Sequence, residues 1–401
     1  MAIPEIESVE AFADFVAEAK EIKGYRDPIA FGIARVDRGQ KNSEKILQAT
    51  YPMINWKENY GSAAVFVAAL RHSGIDVDFS GSEFVAPLSR EFVENAKRAF
   101  APYLEEATGE AHKNVQVIKL LSEILQGPAV PESDYKVVFL FEDMPPKSVE
   151  AVYLKLYALS LAKVPLRSLN LNGAFGVLEN VAWSGNMPIE LEWLREEEMT
   201  LKLDGMYPSI DAVDKFPRYL QHIIPADNTR ILDSSKVRMG AQLAPGTTVM
   251  PGASYINFNA GTTGPVMVEG RISSSAVVGS GSDVGGGASI LGVLSGTDGN
   301  PITIGENTLL GANSVTGVPL GDGCIVDAGV AILAGTKVHI SAEELAKIKE
   351  ANPDAKLPEK AYFKGAELAG LNGIHFRQDS TTGEIRAFRS TREVKLNEEL
   401  H

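Results

Sequence analysis

The most regular hydrophobic pattern of the chain lies between residues 231 and 338, where aliphatic side chains recur every six residues. The sixteen positions in phase are Ile231, Val237, Leu243, Val249, Tyr255, Val266, Ile272, Val278, Val284, Ile290, Ile304, Leu310, Leu320, Val326, Ile332 and Val338. Small residues and glycine follow many of them. This period is typical of a hexapeptide β-helix, in which each unit forms one flat side of a triangular coil and its aliphatic side chain points inward. The pattern therefore predicts a left-handed parallel β-helix.

Three interruptions of the period predict loops that leave the coil. The first lies between Tyr255 and Val266, the second covers residues 295–301, and the third lies between Leu310 and Leu320. Loops on a rigid scaffold often carry binding residues. The alternative, a glycine-rich disordered linker, would not repeat aliphatic residues at a fixed interval.

The chain on either side of this region has a different texture. Residues 1–225 alternate helical and extended patterns, which predicts an α/β N-terminal domain. Its predicted elements are a helix carrying Val9, Phe12 and Val16, a helix capped by Ser62, a strand over Tyr135–Phe141, and a helix that begins at Ser148. No catalytic motif is recognisable there.

The last region begins with a capping box from Ser341 to Glu344, which predicts a short helix that ends before Pro353. A turn over Asp379–Gly383 predicts a β-hairpin that folds back over the last coils. The predicted domains are therefore an α/β domain over 1–225, a β-helix over 226–340 and a C-terminal helix and hairpin over 341–401.

Charge and cysteine content narrow the range of partners. The net charge of −14 repels a polyanion on average, so nucleic acid is not an expected partner. The single cysteine, Cys324, excludes an intramolecular disulfide and is expected to be a buried spectator. The N-terminus lacks the pattern of a signal peptide, and no apolar run is long enough to span a membrane. We expect a soluble cytoplasmic protein with no membrane partner.

Candidate chemistry follows from the scaffold, because hexapeptide β-helices commonly serve acyltransferases that use acyl-CoA. Such enzymes need a slot for the pantetheine arm, donors for the phosphates and a group that assists attack on the thioester. Many use a histidine, but of the six histidines here only His339 is expected near the coil, at its end. Glu269 and Arg271 lie two residues apart on a segment that we expect to be extended, so they should project to the same side.

Several ordered stretches of the repeat region resemble the tetrahydrodipicolinate N-succinyltransferases. These stretches are Gln242–Met250, Asn257–Thr262, Met267–Ser273, Gly281–Ile290 and Leu309–Ser314. The resemblance covers residues 215–401 well, whereas the N-terminal half resembles the family only loosely. Contiguous motifs in a fixed order are far more specific than one short pattern.

The resemblance implies the reaction and the residues that perform it. Succinyl-CoA would donate a succinyl group to the amino group of ring-opened tetrahydrodipicolinate, and the family's catalytic glutamate falls on Glu269. Whether Glu269 acts as a general base or as a nucleophile stays open. The family's succinyl-CoA contacts fall on Arg271, Gly286, Ser289, Ala312, Asp327, Ala328, Gly335, Lys364, Arg377, Gln378, Asp379 and Ser380.

The residue types suit these implied roles. The planar fork of Arg271 suits a succinyl carboxylate, and Lys364 and Arg377 suit the CoA phosphates. Gly286 and Ala312 would let the pantetheine arm approach the backbone. The alternatives are that the small residues only turn corners and that the two basic side chains are solvated surface charges. His375, near Arg377, is expected only to pack.

The resemblance also bears on assembly and metal content. It implies a homotrimer with sites between neighbouring coils and no tightly bound cofactor. Some relatives bind magnesium on the trimer axis through acidic residues, but the matching positions here are Lys236 and Ala253, so a metal site is not expected. Asp327 replaces a glutamate of the relatives.

Two other functions compete with succinyl transfer. An acetyl-CoA-dependent transferase would use the same scaffold, but an acetyl group has no distal carboxylate for Arg271 to bind. A non-catalytic β-helix used as a binding module would release no CoA. A zinc hydratase is set aside, because it would need three histidines gathered between coils.

Overall fold

The computed structural model describes residues 2–127, 131–293, 297, 299–392 and 394–396. Within it the chain divides into two compact units. The first comprises residues 1–158 and 169–216, and the second comprises residues 159–168 and 217–401. The division into three domains at residues 225 and 340 stays a prediction.

The first unit is a mixture of helices and antiparallel sheet. Its elements are α1 (Val9–Lys20), β1 (Ala30–Arg38), β2 (Ile46–Thr50), β3 (Asn55–Trp56), α2 (Tyr60–His72), β4 (Glu83–Pro87), α3 (Arg90–Ala99), α4 (Lys113–Ile124), β5 (Tyr135–Leu140), α5 (Val149–Ser160, whose last two residues belong to the second unit), α6 (Ala174–Val177), β6 (Val181–Ser184), β7 (Met187–Glu190), α7 (Leu191–Glu196), α8 (Glu198–Leu203) and β8 (Ala212–Asp214). One sheet has the order β2-β1-β5-β4 with β3 also on β1, and a smaller one has the order β7-β6-β8.

The helices of the first unit bury aromatic side chains against the larger sheet. Phe31 and Phe139 from the sheet meet Phe66, Phe92 and Phe100 from the helices in one buried cluster. The predicted helix at Val9, the strand from Tyr135 and the helix that follows Ser148 are confirmed. Ser62 as a helix cap was wrong.

Helix α2 begins at Tyr60, because the residue before it takes the left-handed conformation that turns the chain into a helix. That residue is Asn59, with φ of 56°, and asparagine tolerates this region better than most residues. Ser62 therefore lies inside the helix.

The second unit consists mainly of short strands. Its elements are β9 (Arg230–Ile231), β10 (Thr248–Val249), β11 (Tyr255–Ile256), β12 (Gly261–Thr262), β13 (Met267–Val268), β14 (Arg271–Ile272), β15 (Val277–Val278), β16 (Asp283–Val284), β17 (Ser289–Ile290), β18 (Thr303–Ile304), β19 (Leu309–Leu310), β20 (Val315–Thr316), β21 (Ile325–Val326), β22 (Ala331–Ile332), β23 (Lys337–His339), α9 (Ala342–Ala351), β24 (Tyr362–Lys364), β25 (Ile374–Gln378) and β26 (Ile385–Arg389).

Successive strands of the coil from β10 to β22 lie in turn on three faces and pair in parallel with the strands of adjacent turns, which confirms the predicted β-helix. The first face is a ten-stranded sheet of order β24-β23-β26-β25-β21-β19-β16-β13-β10-β9. The second face has the order β11-β14-β17-β20-β22, and the third has the order β12-β15-β18. From β10 to β22 the chain passes from first to second to third face in each turn, whereas β23 pairs with the C-terminal strands β24 and β26.

Most of the sixteen predicted inward positions are buried, but the phase was wrong at two of them. In the first complete turn Ile256, not Tyr255, is fully buried and pairs with Ile272. In the next turn Val268 is in register with Val249 and Val284, whereas Val266, although buried, lies at the preceding corner.

Two of the three predicted interruptions are also wrong, because the coil continues through them. Thr262 and Thr316 occupy the inward positions there and are buried. Their hydroxyls are paired inside the coil, Thr262 with Thr247 at 2.7 Å and Thr316 with the Val318 carbonyl at 2.8 Å. A rule that counts only aliphatic residues misses such satisfied threonines.

The remaining interruption is a true excursion, since the inward Ile304 follows the inward Ile290 by fourteen positions instead of six. Part of it, residues 294–296 and 298, lies outside the described residues. The C-terminal predictions are confirmed. Ser341 caps α9, the turn over residues 379–383 joins β25 to β26, and β25 pairs with β21 of the coil.

Candidate active site along one edge of the first face

Glu269 lies at an unusually short corner of the coil. Only Glu269 and Gly270 join β13 to β14, whereas four residues, 285–288, join β16 to β17 in the next turn. Glu269 therefore lies in the corner itself, and Arg271 begins the strand of the next face. The expectation that one extended segment carries both was wrong, because the chain turns between them.

The short corner packs tightly against the longer corner of the next turn. A Cβ on Gly270 would lie 2.4 Å from the Ala288 carbonyl oxygen and 2.9 Å from that of Gly285, so only glycine fits. A Cβ on Gly286 would lie 3.7 Å from Oε2 of Glu269. The Glu269 carboxylate thus lies beside Gly286, the residue that the sequence places against the pantetheine arm.

Four of the predicted CoA contacts form a column along the same corner. The inward residues Val284, Leu310, Val326 and Phe376 are in register on adjacent strands of the first face. Two residues beyond each of them lie Gly286, Ala312, Ala328 and Gln378, respectively. Backbone hydrogen bonds of 2.9 Å, from Asn313 to Gly286 and from Gly329 to Ala312, link the successive corners.

Arg271 and Ser289 lie next to this column on the second face. They are paired in register at the beginnings of β14 and β17, immediately after the corners that carry Glu269 and Gly286. The side chain of Arg271 is exposed, and Ser289 is buried. The exposed guanidinium is thus available near Glu269.

The other predicted contacts extend the edge across the C-terminal strands. Gln378 is opposite Ile385, Ile385 is opposite Val338, and Val338 is opposite Phe363. Beyond this row lie Lys364 at the end of β24, Gly335 two residues before β23, and Asp379 and Ser380 in the hairpin turn. The Asp379 carboxylate accepts hydrogen bonds from the backbone of Thr381 and Thr382. The structure therefore brings the predicted residues to one edge of the first face and to its adjoining corners.

Asp327 is held by two side chains from β25. Its Oδ1 lies 2.7 Å from Nε2 of His375, and its Oδ2 accepts a 2.6 Å hydrogen bond from Nε of Arg377. Partial burial raises the pKa of Asp327, but the hydrogen bonds from Arg377 and His375 outweigh it and leave the pKa below its ordinary value. Asp327 is therefore an ionised acceptor.

His375, which was expected only to pack, also contacts the Asp327 carboxylate. The available signal was its spacing, since His375 and Arg377 alternate on a strand and so project from the same face. The sequence alone does not show that β25 pairs with β21, and this pairing brings Asp327 beside both side chains.

Neither of the positions that match a magnesium site in relatives offers an acidic ligand. Lys236 donates to the Gly252 carbonyl at 2.8 Å, and Ala253 is exposed. Across the described ranges, no three acidic, histidine or cysteine side chains gather as a metal would require. No helix in the described part of the chain combines the length and apolar character of a membrane-crossing segment.

A parallel β-helix of hexapeptide turns, with a carboxylate and basic groups along one edge, defines the class of hexapeptide-repeat transferases. A family model described as the hexapeptide repeat of succinyl-transferase matches residues 301–334. The models for the N-terminal and middle parts of tetrahydrodipicolinate N-succinyltransferase match residues 10–176 and 178–218. The chain belongs to the tetrahydrodipicolinate N-succinyltransferase family.

Full-length relatives agree with this assignment. Proteins named 2,3,4,5-tetrahydropyridine-2,6-dicarboxylate N-succinyltransferase are similar from Sulfurovum, with 72% identity over 100% of both chains, and from Helicobacter pylori, with 54% identity over 98% of this chain and 100% of the relative. A crystal structure of a Campylobacter jejuni protein described as a 2,3,4,5-tetrahydropyridine-2-carboxylate N-succinyltransferase superposes with a TM-score of 0.92, at 56% identity, covering 98% of this chain and 100% of that one.

The comparisons correct one expectation. The N-terminal half was expected to resemble the family only loosely, but the family's N-terminal and middle models match residues 10–176 and 178–218 of it. Repeat motifs are recognisable by eye because glycines and aliphatic residues recur at fixed spacing, whereas an α/β layer preserves only a hydrophobic pattern.

Proposed function

We propose that this chain transfers a succinyl group from succinyl-CoA to the amino group of ring-opened tetrahydrodipicolinate, in the diaminopimelate branch of lysine biosynthesis. The observation that carries the proposal is the full-length similarity, at 72% identity, to a protein named for this activity. The grouping of Glu269, Arg271 and the column of Gly286, Ala312, Ala328 and Gln378 along one edge supports it, since an extended thioester needs a long, shallow surface.

The reaction forms an amide bond and breaks a thioester bond. The acceptor nitrogen attacks the thioester carbonyl carbon, and the tetrahedral intermediate expels the CoA thiolate. The proton lost by the amine balances the proton that the thiolate takes up. Glu269 beside Gly286 is suited to carry that proton as a general base. Arg271 is suited to hold the distal succinyl carboxylate, because its planar donors match a carboxylate.

The nucleophile role for Glu269 gives a different order of events. Its carboxylate would attack the thioester first, release CoA and hold the succinyl group as an anhydride until the amine arrives. A rapid-mix experiment with succinyl-CoA and no acceptor separates the two. One thiol per active site favours the anhydride, and none favours the general base.

The test of the proposed function is thiol release by purified protein with succinyl-CoA and tetrahydrodipicolinate. We expect acceptor-dependent turnover, and we expect Glu269→Gln to lower kcat by about 10²–10⁴-fold, because removal of a proton-transfer group typically costs that much. Glu306→Gln, at a different corner of the coil, serves as the matched control. No acceptor-dependent thiol from the wild-type protein would overturn the proposal.

The two competing functions make different predictions in the same assay. An acetyl transferase would turn over acetyl-CoA at least as well as succinyl-CoA and would be insensitive to Arg271→Gln. A binding module would release no thiol with either donor, and Glu269→Gln would be silent. No observation on the site favours either.

The proposal extends to assembly, donor and location. Succinyl-CoA is the proposed co-substrate, and the proposed contacts are those along the edge of the first face and its adjoining corners. We also propose that the protein is a homotrimer and that it works in the cytoplasm, where the reactants of amino-acid biosynthesis are found. We propose small molecules and not nucleic acid as its partners, and the net charge of −14 supports this.

A further inference from the structure

His375 and Arg377 present their side chains on the outer side of the first face. They occupy alternate positions of β25, and Phe376 between them is buried in the coil. Asp327 follows the neighbouring strand β21, and its backbone donates to the Phe376 carbonyl at 3.0 Å. The pairing of these strands therefore places Asp327 between the two basic side chains.

Four side chains form a closed set of contacts here. Asp327 bridges His375 at 2.7 Å and Arg377 at 2.6 Å. The Arg377 guanidinium lies over the Phe388 ring, 5.4 Å from its centroid, and the Phe388 ring lies 4.5 Å from the His375 ring. His375 thus contacts both side chains that hold the guanidinium.

The direction of the His375 hydrogen bond follows from the chemistry of its partner. Asp327 is ionised, because its pKa is lowered, so its oxygen can only accept. Nε2 of His375 therefore carries the proton and donates. A phenyl ring at this position could still pack on Phe388, but it could not hold the carboxylate.

We propose that His375 is a positioning residue that holds Arg377, through Asp327 and Phe388, in place for the phosphates of CoA. The proposal rests on the proposed function. A free arginine loses rotamer entropy when it is fixed on a ligand, and a side chain that is already held avoids part of that loss. The Arg377 side chain is 56% exposed while its Nε is engaged, so its terminal nitrogens can meet a phosphate.

The decisive variant is His375→Phe in the full-length protein. We expect the Kd of CoA, measured by calorimetry, and the KM of succinyl-CoA to rise about tenfold. The reason is that the variant loses the contact that holds Arg377 in place for the phosphates. S-succinylpantetheine, which lacks the nucleotide and its phosphates, should keep its KM. With either donor kcat should change little, because His375 is remote from the thioester in this scheme.

Two polar variants separate positioning from packing. Glutamine can place an amide N–H near the position of Nε2, so His375→Gln should recover most of the CoA affinity. Asparagine is too short, so His375→Asn should behave like His375→Phe. If His375→Phe proves unfolded at the assay temperature, the glutamine and asparagine pair decides the question.

A double-mutant cycle tests the route through Arg377. In an Arg377→Ala background, His375→Phe should add little to the rise in Kd, because the residue it positions is gone. His339→Phe, on β23, which is separated from β25 by β26, and also on the outer side, is the matched control and should leave Kd unchanged.

The inference is overturned if His375→Phe leaves CoA affinity unchanged, if it weakens both thioesters equally, or if its effect adds fully to that of Arg377→Ala. These outcomes differ from failure of the proposed function, in which the wild-type protein would show no acceptor-dependent thiol release. CoA that fails to bind the wild-type protein would overturn the inference as well.

Discussion

At the residue scale, the corner that carries Glu269 depends on Gly270. Any side chain there would meet the carbonyl oxygens of Ala288 and Gly285 in the next turn, and backbone atoms cannot give way as a flexible side chain can. The absence of a Cβ therefore allows the two-residue corner to close, and that corner brings Glu269 beside Gly286.

We predict that Gly270→Ala lowers the free energy of unfolding by about 1–3 kcal/mol, the usual cost of overpacking, and also lowers kcat because Glu269 is displaced. Denaturant unfolding and the thiol assay measure the two effects. For stability the control is Gly335→Ala, another coil glycine, which has open space around its Cβ position and should change stability little. Equal stabilities for the two variants would contradict this account of the corner.

Asp327 should make the free energy of unfolding depend on pH, and the sign of that dependence follows from its lowered pKa. A carboxyl group whose pKa is lower in the folded state stabilises the fold above its unfolded pKa and loses that contribution as pH falls through the folded pKa. The stability difference between wild type and Asp327→Asn should therefore be full above the ordinary aspartate pKa of about 4 and should shrink as the pH falls below it. Asp354→Asn, at an exposed position after α9, is the control, and a difference that grows in acid would refute the assignment.

At the scale of elements, a ten-residue segment outside the repeat belongs to the β-helix unit. Residues 159–168 comprise the last two residues of α5 and the eight that follow it, and Arg167 in this segment hydrogen-bonds to three successive turns of the coil. Its backbone N–H donates to Asn259, its Nε to the Ser275 carbonyl at 2.6 Å, and its terminal nitrogens to Ile302 and Thr303. One residue, through its backbone and its side chain, thus ties the turns together along the corner between the second and third faces.

Arg167→Ala should lower the free energy of unfolding by about 1–3 kcal/mol, since acceptors that were paired with a charged donor lose their partner. Amide hydrogen exchange should become faster over residues 161–168 and near Ser275. Arg230→Ala, an exposed arginine at the start of β9, is the matched control. Unchanged exchange in that segment would show that Arg167 does not hold it.

At the scale of the whole molecule, the proposed homotrimer predicts that activity depends on assembly. Sedimentation should give the mass of three chains at the concentrations used for assay, and dilution that dissociates the trimer should abolish turnover, because neighbouring coils would build each site together. A dissociated chain that keeps full turnover per active site would contradict this prediction.

The repeat made the β-helix predictable, because a narrow coil imposes a buried side chain at nearly every sixth position. The same rule erred at Tyr255 and Val266, where corners are longer or shorter than the average, and at Thr262 and Thr316, where buried threonines replace aliphatic residues. Local sequence does not specify corner length, since the fit between adjacent turns selects it.

Sequence alone determined the periodic core, the motifs around Glu269 and the family resemblance, since each is written in contiguous residues. Tertiary structure decided that a corner at Glu269 precedes the face that carries Arg271, that Arg167 joins a distant segment to the coil, and that His375 meets Asp327. The contacts of Arg167 and Asp327 connect residues 48 to 136 positions apart, and such pairings are set by strand register and packing, not by local pattern.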